Sequence, residues 1–400
     1  MTDRPFILAL NGGSSSIKFA LFQLDHSLDR ILGGSIDRIG LPEATFSVKG
    51  SNQGDNFSRQ VNAPNHTSAV DRLIEWLEER IGRGGLRAVG HRVVHGGQKY
   101  SKPQQINPEM IQELHQLSSF DPEHLPGEIE LINEVSHHYP DVPQVACFDT
   151  AFHRNMPRVA RLLPLPRRYD AKGVQRYGFH GLSYAFIMEE LTRLAGTEVA
   201  RGRVIIAHLG NGASLAAVND GEPVDTTMGF TPTAGMPMST RSGDLDPGLV
   251  WYLARTEHVD AKQFNEMVNS QSGLLGVSEI SSDMRDLLDR ESNDVRAAEA
   301  VALFCYQVKK WIGAFAAALG GLDTLVFTAG IGENAPEVRT RICTGLEFLG
   351  IKLDEKRNAN NAGVISMDNS RVTVRVIHTD EEQMIAKMVC RVLGLAVGKE

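Results

Sequence analysis

Apolar residues fall into two rhythms along the chain. FILAL (6–10), IKFALF (17–22), LRAVGHRVV (86–94), PQVACF (143–148), RVIIAHL (203–209), ASLAAV (213–218), TLVFTAG (324–330) and VTVRVI (372–377) are short apolar or alternating runs, and they predict strands. SAVDRLIEWLEERI (68–81), PGEIELINEVSHHY (126–139), GLSYAFIMEELTRLA (181–195), VRAAEAVALFCYQVKKWIGAFAAAL (295–319) and EEQMIAKMVCRVLGL (381–395) repeat apolar positions every three to four residues and predict helices. Strands alternating with helices make an α/β protein.

One pattern occurs twice. FILALNGGSSSIKFALF and VIIAHLGNGASLAAV are each strand, Gly-rich turn, strand, about 200 residues apart. Asn-Gly is a hairpin signal. The first turn also has what an anion needs: Gly12 and Gly13 admit close backbone approach, Ser14 to Ser16 offer hydroxyls and Lys18 a charge. The echo is compatible with two unrelated hairpins or with a duplicated architecture whose two Gly turns grip one polyphosphate. Asp225 to Gly248 is the longest aperiodic stretch and carries Arg241 among small residues, as functional loops do.

The length of 400 residues suits two domains. A net charge of -8 argues against general affinity for nucleic acid or anionic membrane. Cys147, Cys305, Cys343 and Cys390 show no paired spacing and read as reduced thiols of a cytoplasmic chain. The start MTDRPF reads as lacking a signal peptide, and WIGAFAAALGGL is too short and Gly-rich to span a bilayer.

The P-loop pattern and the protein-kinase catalytic-loop set are absent. GIGENA (330–335) has the dinucleotide-fold spacing and could equally be a tight strand-to-helix turn or hold an adenosine or α-phosphate. Arg92 sits inside a strand beside a Gly-Gly corner, where a guanidinium needs an anionic partner, either an internal acid or a ligand clamped together with Arg241. Asp149 ends a strand as a cap or a functional acid. Thr379 and Glu382 fit a capping box, while Asp380 and Glu381 stand where a hard cation could be held through water. His91, His95 and the His137–His138 pair lack a metal-ligand pattern. His180 precedes a helix, where a donor could reach a cleft.

NGGSSSIKF, GHRVVHGG, FDTAFH, YGFHGLSY, HLGNGAS, DTTMGFTPTAG, TRSGDLDPG, SSDMRDLL, FTAGIGEN and TDEE occur in this order from about residue 6 to 390, and together they resemble the acetate kinase family. That family shares the actin/Hsp70/sugar-kinase (ribonuclease H-like) fold. The resemblance implies two duplicated α/β domains, 1–150 with 386–400 and 151–385, and an active-site cleft between them. It also implies ATP and ADP as substrates, magnesium (or manganese), a homodimer and reversible phosphoryl transfer to acetate.

Roles follow by position. Asn11 and Glu381 match the metal site, and Lys18 an ATP contact. His208, Leu209, Gly210, Asn211 and Gly212 match nucleotide-binding positions, as do Asp283, Met284 and Arg285, and Gly330, Ile331, Gly332, Glu333 and Asn334. Arg92 matches the substrate-binding arginine, Asp149 the catalytic acid, and His180 and Arg241 the transition-state stabilisers. Val94, Phe179 and Pro232 match the acyl pocket. A carboxylic acid substrate is already ionised at pH 7, so a general base has no proton to remove. Asp149 is therefore expected to orient Arg or His, or to hold a magnesium water.

The chain departs from the family at DPEHLPGE. His124 is kept, but Glu123 replaces a pocket leucine; it is expected to point to solvent, with Leu125 or another residue filling the wall. Acetate comes first as substrate, then propionate or butyrate. A nucleotide-gated ATP-binding module on the same fold is the alternative of another class; it would not need Arg92, Arg241 and His180. A dinucleotide-dependent oxidoreductase resting on GIGENA is a third.

Overall fold

The apolar runs assemble into two sheets, seen in a computed structural model that describes residues 5–13, 15–25, 28–51 and 53–396. Ser14, one of the expected turn hydroxyls, lies outside the described residues. The strands are β1 (Phe6–Gly12), β2 (Ser16–Leu24), β3 (Leu28–Asp37), β4 (Ala44–Gly50), β5 (Phe57–Val61), β6 (Leu86–Val93), β7 (Gln104–Gln105), β8 (Gln144–Phe148), β9 (Val204–Leu209), β10 (Ala213–Asn219), β11 (Glu222–Thr226), β12 (Thr324–Thr328) and β13 (Thr373–Val376). The first sheet runs β5-β4-β3-β2-β1-β6-β8-β7, the second β11-β10-β9-β12-β13. The chain divides into two compact units, Met1–Phe152 with Asp380–Glu400, and His153–Thr379.

Both sheets contain the same five-strand order. In the first, β1, β2 and β3 pair antiparallel, and β6 and β8 add parallel on the other side of β1. In the second, β9, β10 and β11 repeat the meander, and β12 and β13 repeat the parallel side. Parallel strands need crossover connections, which is where helices enter the chain.

In the first unit, Phe19, Phe46, Phe57 and Trp76 meet edge-on, with ring centroids 5.2–6.2 Å apart, between the sheet and helix His66–Ile81. The sequence rhythm gives no sign of β3 to β5. β3 carries Gly33-Gly34 among charges, and a Cβ on Gly34 would lie 2.2 Å from the Ser47 carbonyl oxygen and 2.7 Å from Phe19 Cζ. The glycine that weakens the strand signal is what lets β3 lie this close. β5 is largely exposed and so has no apolar alternation.

In the second unit, β9 and β12 are buried along their whole length, which explains their continuous apolar runs. β12 stops at Thr328, before the expected 330, because Ala329 turns left-handed (φ 64°) and starts helix Ala329–Asn334. Helix Glu381–Leu393 is unbroken and packs on β1 and β6, so the division between units falls at 379/380, where 385/386 was expected. Its cap also differs from expectation: Asp380, not Thr379, accepts from the Gln383 amide at 2.8 Å. Asp380 and Glu382 also pair with Arg30, so Asp380 serves the helix start rather than a cation. All four cysteines are buried and free, and among the described residues no helix is long and apolar enough to cross a membrane.

Candidate active site

In the first unit, functional side chains gather around the β1–β2 turn. The hairpin register sets Asn11 opposite Lys18 and Gly12 opposite Ile17. Asn11 Nδ2 donates to Glu381 Oε2 at 3.0 Å, joining the turn to the N-terminus of the last helix. Arg92, on β6, sends Nε and Nη2 to Asp149 Oδ2 at 3.0 and 2.7 Å. Its Nη1 lies 3.5 Å from the Gly12 carbonyl oxygen and 3.6 Å from Glu128 Oε1. Asp149 is therefore no simple strand-end cap: its side chain is fully buried and orients the arginine.

This cluster holds three carboxyls, those of Glu128 and Asp149 buried and that of Glu381 half-buried, against one guanidinium. Burial alone would lower the Arg92 pKa; Asp149 first, then Glu128 and Glu381, outweigh it and raise it. Glu381 is pushed up by burial and then by the charge of Asp149, with Arg92 and Lys18 opposing. Asp149 Oδ1 and Glu128 Oε1 are buried without a hydrogen-bond partner among the described residues. Unpaired buried carboxyl oxygens are costly. A set of hard oxygen donors with surplus negative charge suits a magnesium-like cation.

The second unit builds its cluster on the β9–β10 turn. His180 has φ 58° and stands immediately before helix Gly181–Ala195; its Nδ1 lies 2.8 Å from Ser214 Oγ on β10. His208 stacks on it with centroids 4.2 Å apart and is itself set by Ser183 Oγ at 2.8 Å. Arg241 Nη1 donates to the Pro232 carbonyl at 3.2 Å. A Cβ on Gly212 would lie 3.0 Å from His180 Nε2 and 3.6 Å from Arg241 Nη1. The imidazole and the guanidinium thus converge where this turn has no side chain. Asn211 ties the turn to the Arg241 loop: its carbonyl accepts from Ser239 N at 3.1 Å. A Cβ on Gly210 would touch that of Ala329 at 3.5 Å, so the Gly330–Asn334 segment adjoins the turn, with Ile331 and Gly332 in its short helix.

Other predicted positions have structural duties as well. Glu333 Oε1 accepts from Ala329 N at 2.8 Å and Thr379 N at 3.0 Å, so the first amide of helix Ala329–Asn334 is already taken. Asp283 caps helix Met284–Arg290 and binds Arg285 through Nε and Nη2 at 3.1 and 2.6 Å; Met284 is buried and the Arg285 side chain exposed. Val94 in the first unit, and Phe179 and Pro232 in the second, are buried. Glu123 is exposed, as expected, and Leu125 is fully buried.

Three residues escaped the sequence reading. Glu128 lies inside a helical apolar stripe. His66, at the start of its helix, reaches the Gly13 carbonyl with Nε2 at 2.9 Å. Arg339, fully buried and in no ion pair among the described residues, donates to the carbonyls of Gly332, Glu333 and Asn358 and to the side chains of Asn358 and Asn361. Glu128 and Arg339 are each one charge among several in their helices, and only the fold shows that they face inward. His66 gave no signal.

The repeated strand order with a Gly turn in each unit defines the fold of the actin and sugar-kinase type, and the chain is a phosphotransferase whose acceptor is a carboxylate. The chain belongs to the acetokinase family, whose pattern it matches over residues 6–387. It is 44% identical over 391 residues to an acetate kinase of Rhodopseudomonas palustris, covering 96% of this chain and 98% of the relative. Among solved structures it resembles Porphyromonas gingivalis acetate kinase (38% identity, TM-score 0.88, 97% of this chain and 100% of that one). It also resembles a propionate kinase from Francisella tularensis (35% identity, TM-score 0.90, 96% and 98%).

Proposed function

We propose that this acetokinase-family chain is an acetate kinase, transferring the γ-phosphoryl group of ATP to acetate, reversibly, to give acetyl phosphate and ADP. The observation that carries this reading is the convergence of His180 and Arg241 on the bare Gly212 turn, donors arranged where phosphoryl oxygens could approach the backbone. A module that only binds nucleotide has no need of them.

Phosphoryl transfer asks for positioning and charge stabilisation more than for covalent chemistry. Arg92 receives the acetate carboxylate, and Asp149 keeps its guanidinium aimed. His180 and Arg241 stabilise charge on the phosphoryl oxygens. The turn of His208 to Gly212, the segment Gly330–Asn334 and Asp283 to Arg285 hold the nucleotide, with Lys18 as a further phosphate contact. Val94, Phe179 and Pro232 receive the methyl group. Asn11 and Glu381 would hold magnesium, which when bound neutralises phosphate charge and relieves the surplus of buried carboxyls. Asp149 acts here as an orienting acid, since acetate brings no proton to remove.

Propionate is the second acid, favoured by the TM-score of 0.90 to the Francisella propionate kinase. The test is incubation with ATP, magnesium and acetate, propionate or butyrate, trapping acyl phosphate with hydroxylamine. Hydroxamate with acetate foremost is expected; none with any acid overturns the reading.

The protein acts as a homodimer in the cytoplasm. Helix Gly248–Thr256 buries none of its residues, and Trp251 and Tyr252 are 68% and 58% exposed, an apolar face suited to a second copy. Buried free thiols suit a reducing compartment. Light scattering giving twice the chain mass checks the dimer; a monomer refutes it.

A further inference from the structure

We propose that Glu128 is a positioning residue for the acid substrate: it ties helix Leu125–His138 to the end of β6 and so holds Arg92 and Val94 in place. This rests on the acetate kinase reading. Glu128 is 2% exposed and stands among Leu125, Ile129, Leu131, Ile132 and Val135 on the buried face of its helix. A carboxyl there is expensive, and an apolar side chain of similar volume would generally cost the fold less. Its contacts show what it does instead.

Oε2 accepts from the Val94 backbone amide at 2.8 Å, just beyond the end of β6. Oε1, which has no hydrogen-bond partner among the described residues, lies 3.6 Å from Arg92 Nη1. Its Cγ abuts the Gly12 turn, where an added Cβ would come within 3.8 Å. One side chain therefore touches the acyl-pocket residue, the substrate arginine and the phosphate-side turn. Asp149 holds Nε and Nη2 of Arg92, while Nη1 stands between the Gly12 carbonyl oxygen at 3.5 Å and Glu128 Oε1 at 3.6 Å. Burial pushes the Glu128 carboxyl up to about 8.

Two substitutions separate reach from charge. Glu128→Gln keeps an acceptor at the same reach. Glu128→Asp keeps an acid but withdraws it from Val94 and Arg92. With wild-type enzyme active in the hydroxamate assay, Glu128→Asp is expected to raise KM for acetate about fivefold or more, with KM for ATP within about twofold. Glu128→Gln, which keeps the acceptor for the Val94 amide, is expected to raise KM for acetate less than Glu128→Asp does. An acetate KM about tenfold higher in Glu128→Gln overturns the proposal even if Glu128→Asp fails to fold. So does a folded Glu128→Asp enzyme that loses thermal stability with its acetate KM unchanged. A wild type inactive on every acid overturns the kinase reading and this role together; an active wild type with the wrong variant pattern overturns this role alone.

Discussion

The Gly12 and Gly212 turns occupy equivalent places in two copies of one strand order, yet their neighbours differ in kind. Around Gly12 stand Glu128, Asp149 and Glu381 with one guanidinium among them; around Gly212 stand two imidazoles and Arg241. The same backbone device thus stands among carboxyls in one unit and among imidazoles and a guanidinium in the other. Topology supplies the turn, and the strand ends and helix starts beside it supply the charge. Function in this fold is therefore carried by the side chains that each unit aims at its turn.

The largest effect should come from removing the second unit's cation. Arg241→Ala is expected to lower kcat by roughly 10³, about 4 kcal/mol of transition-state stabilisation. Steady-state kinetics on folded protein check it. A loss below about tenfold would make Arg241 a loop residue and erase the contrast.

The same substitution in both turns sharpens the comparison. Neither glycine is left-handed, so alanine meets a neighbouring side chain rather than backbone strain. In Gly212→Ala the new methyl presses on His180 Nε2 and Arg241, and kcat is expected to fall about 10², some 2.7 kcal/mol, with little change in melting temperature. In Gly12→Ala it meets Leu131 Cδ2 at 3.2 Å, and the expected cost is about 1 kcal/mol of stability. Equal kinetic losses in both variants would mean that the turns are alike after all.

This contrast was only partly readable beforehand. The hairpins showed because Asn-Gly and Gly-Asn-Gly interrupt runs of apolar residues. Arg92 and Arg241 showed because cations are conspicuous among apolar or small residues. Glu128 did not: in PGEIELINEV its position is one acid among three, and only the fold shows that it faces inward while Glu130 is exposed. β3 was hidden by Gly34, the residue its packing needs. Asp149 looked like a cap because its partner, Arg92, is 57 residues away in sequence.

Not every histidine belongs to the second unit's cluster. His91 is buried on β6, with Nε2 2.6 Å from Gln144 Oε1, and burial pulls its pKa down to about 4, against the opposing pull of that hydrogen bond. Its folded value lies below the unfolded 6.5, so the unfolded chain binds the proton first. The stability it contributes is complete above pH 6.5 and is lost as pH falls toward 4. At pH 5 the loss is about 2 kcal/mol. Denaturant titrations at pH 7 and pH 5 should show a smaller drop for His91→Gln than for wild type. Equal drops would remove His91 from the first unit's acid sensitivity.

The smallest effect separates the two turn asparagines. Asn11 aims its amide at Glu381, a proposed magnesium carboxylate, whereas the Asn211 side-chain oxygen accepts from Ser239 Oγ at 3.4 Å in the Arg241 loop. Without Asn11, Glu381 loses its donor and the turn loses a hard oxygen. Asn11→Ala should therefore raise the magnesium concentration for half-maximal rate about tenfold, near 1.4 kcal/mol, with saturating metal restoring most of kcat. Asn211→Ala should leave that requirement unchanged and raise KM for ATP instead. Metal titrations at fixed ATP decide between them. If both variants shift the metal requirement equally, the division of labour between a metal-side turn and a nucleotide-side turn fails. If Asn11→Ala merely lowers the melting temperature, Asn11 is only a residue that turns the chain.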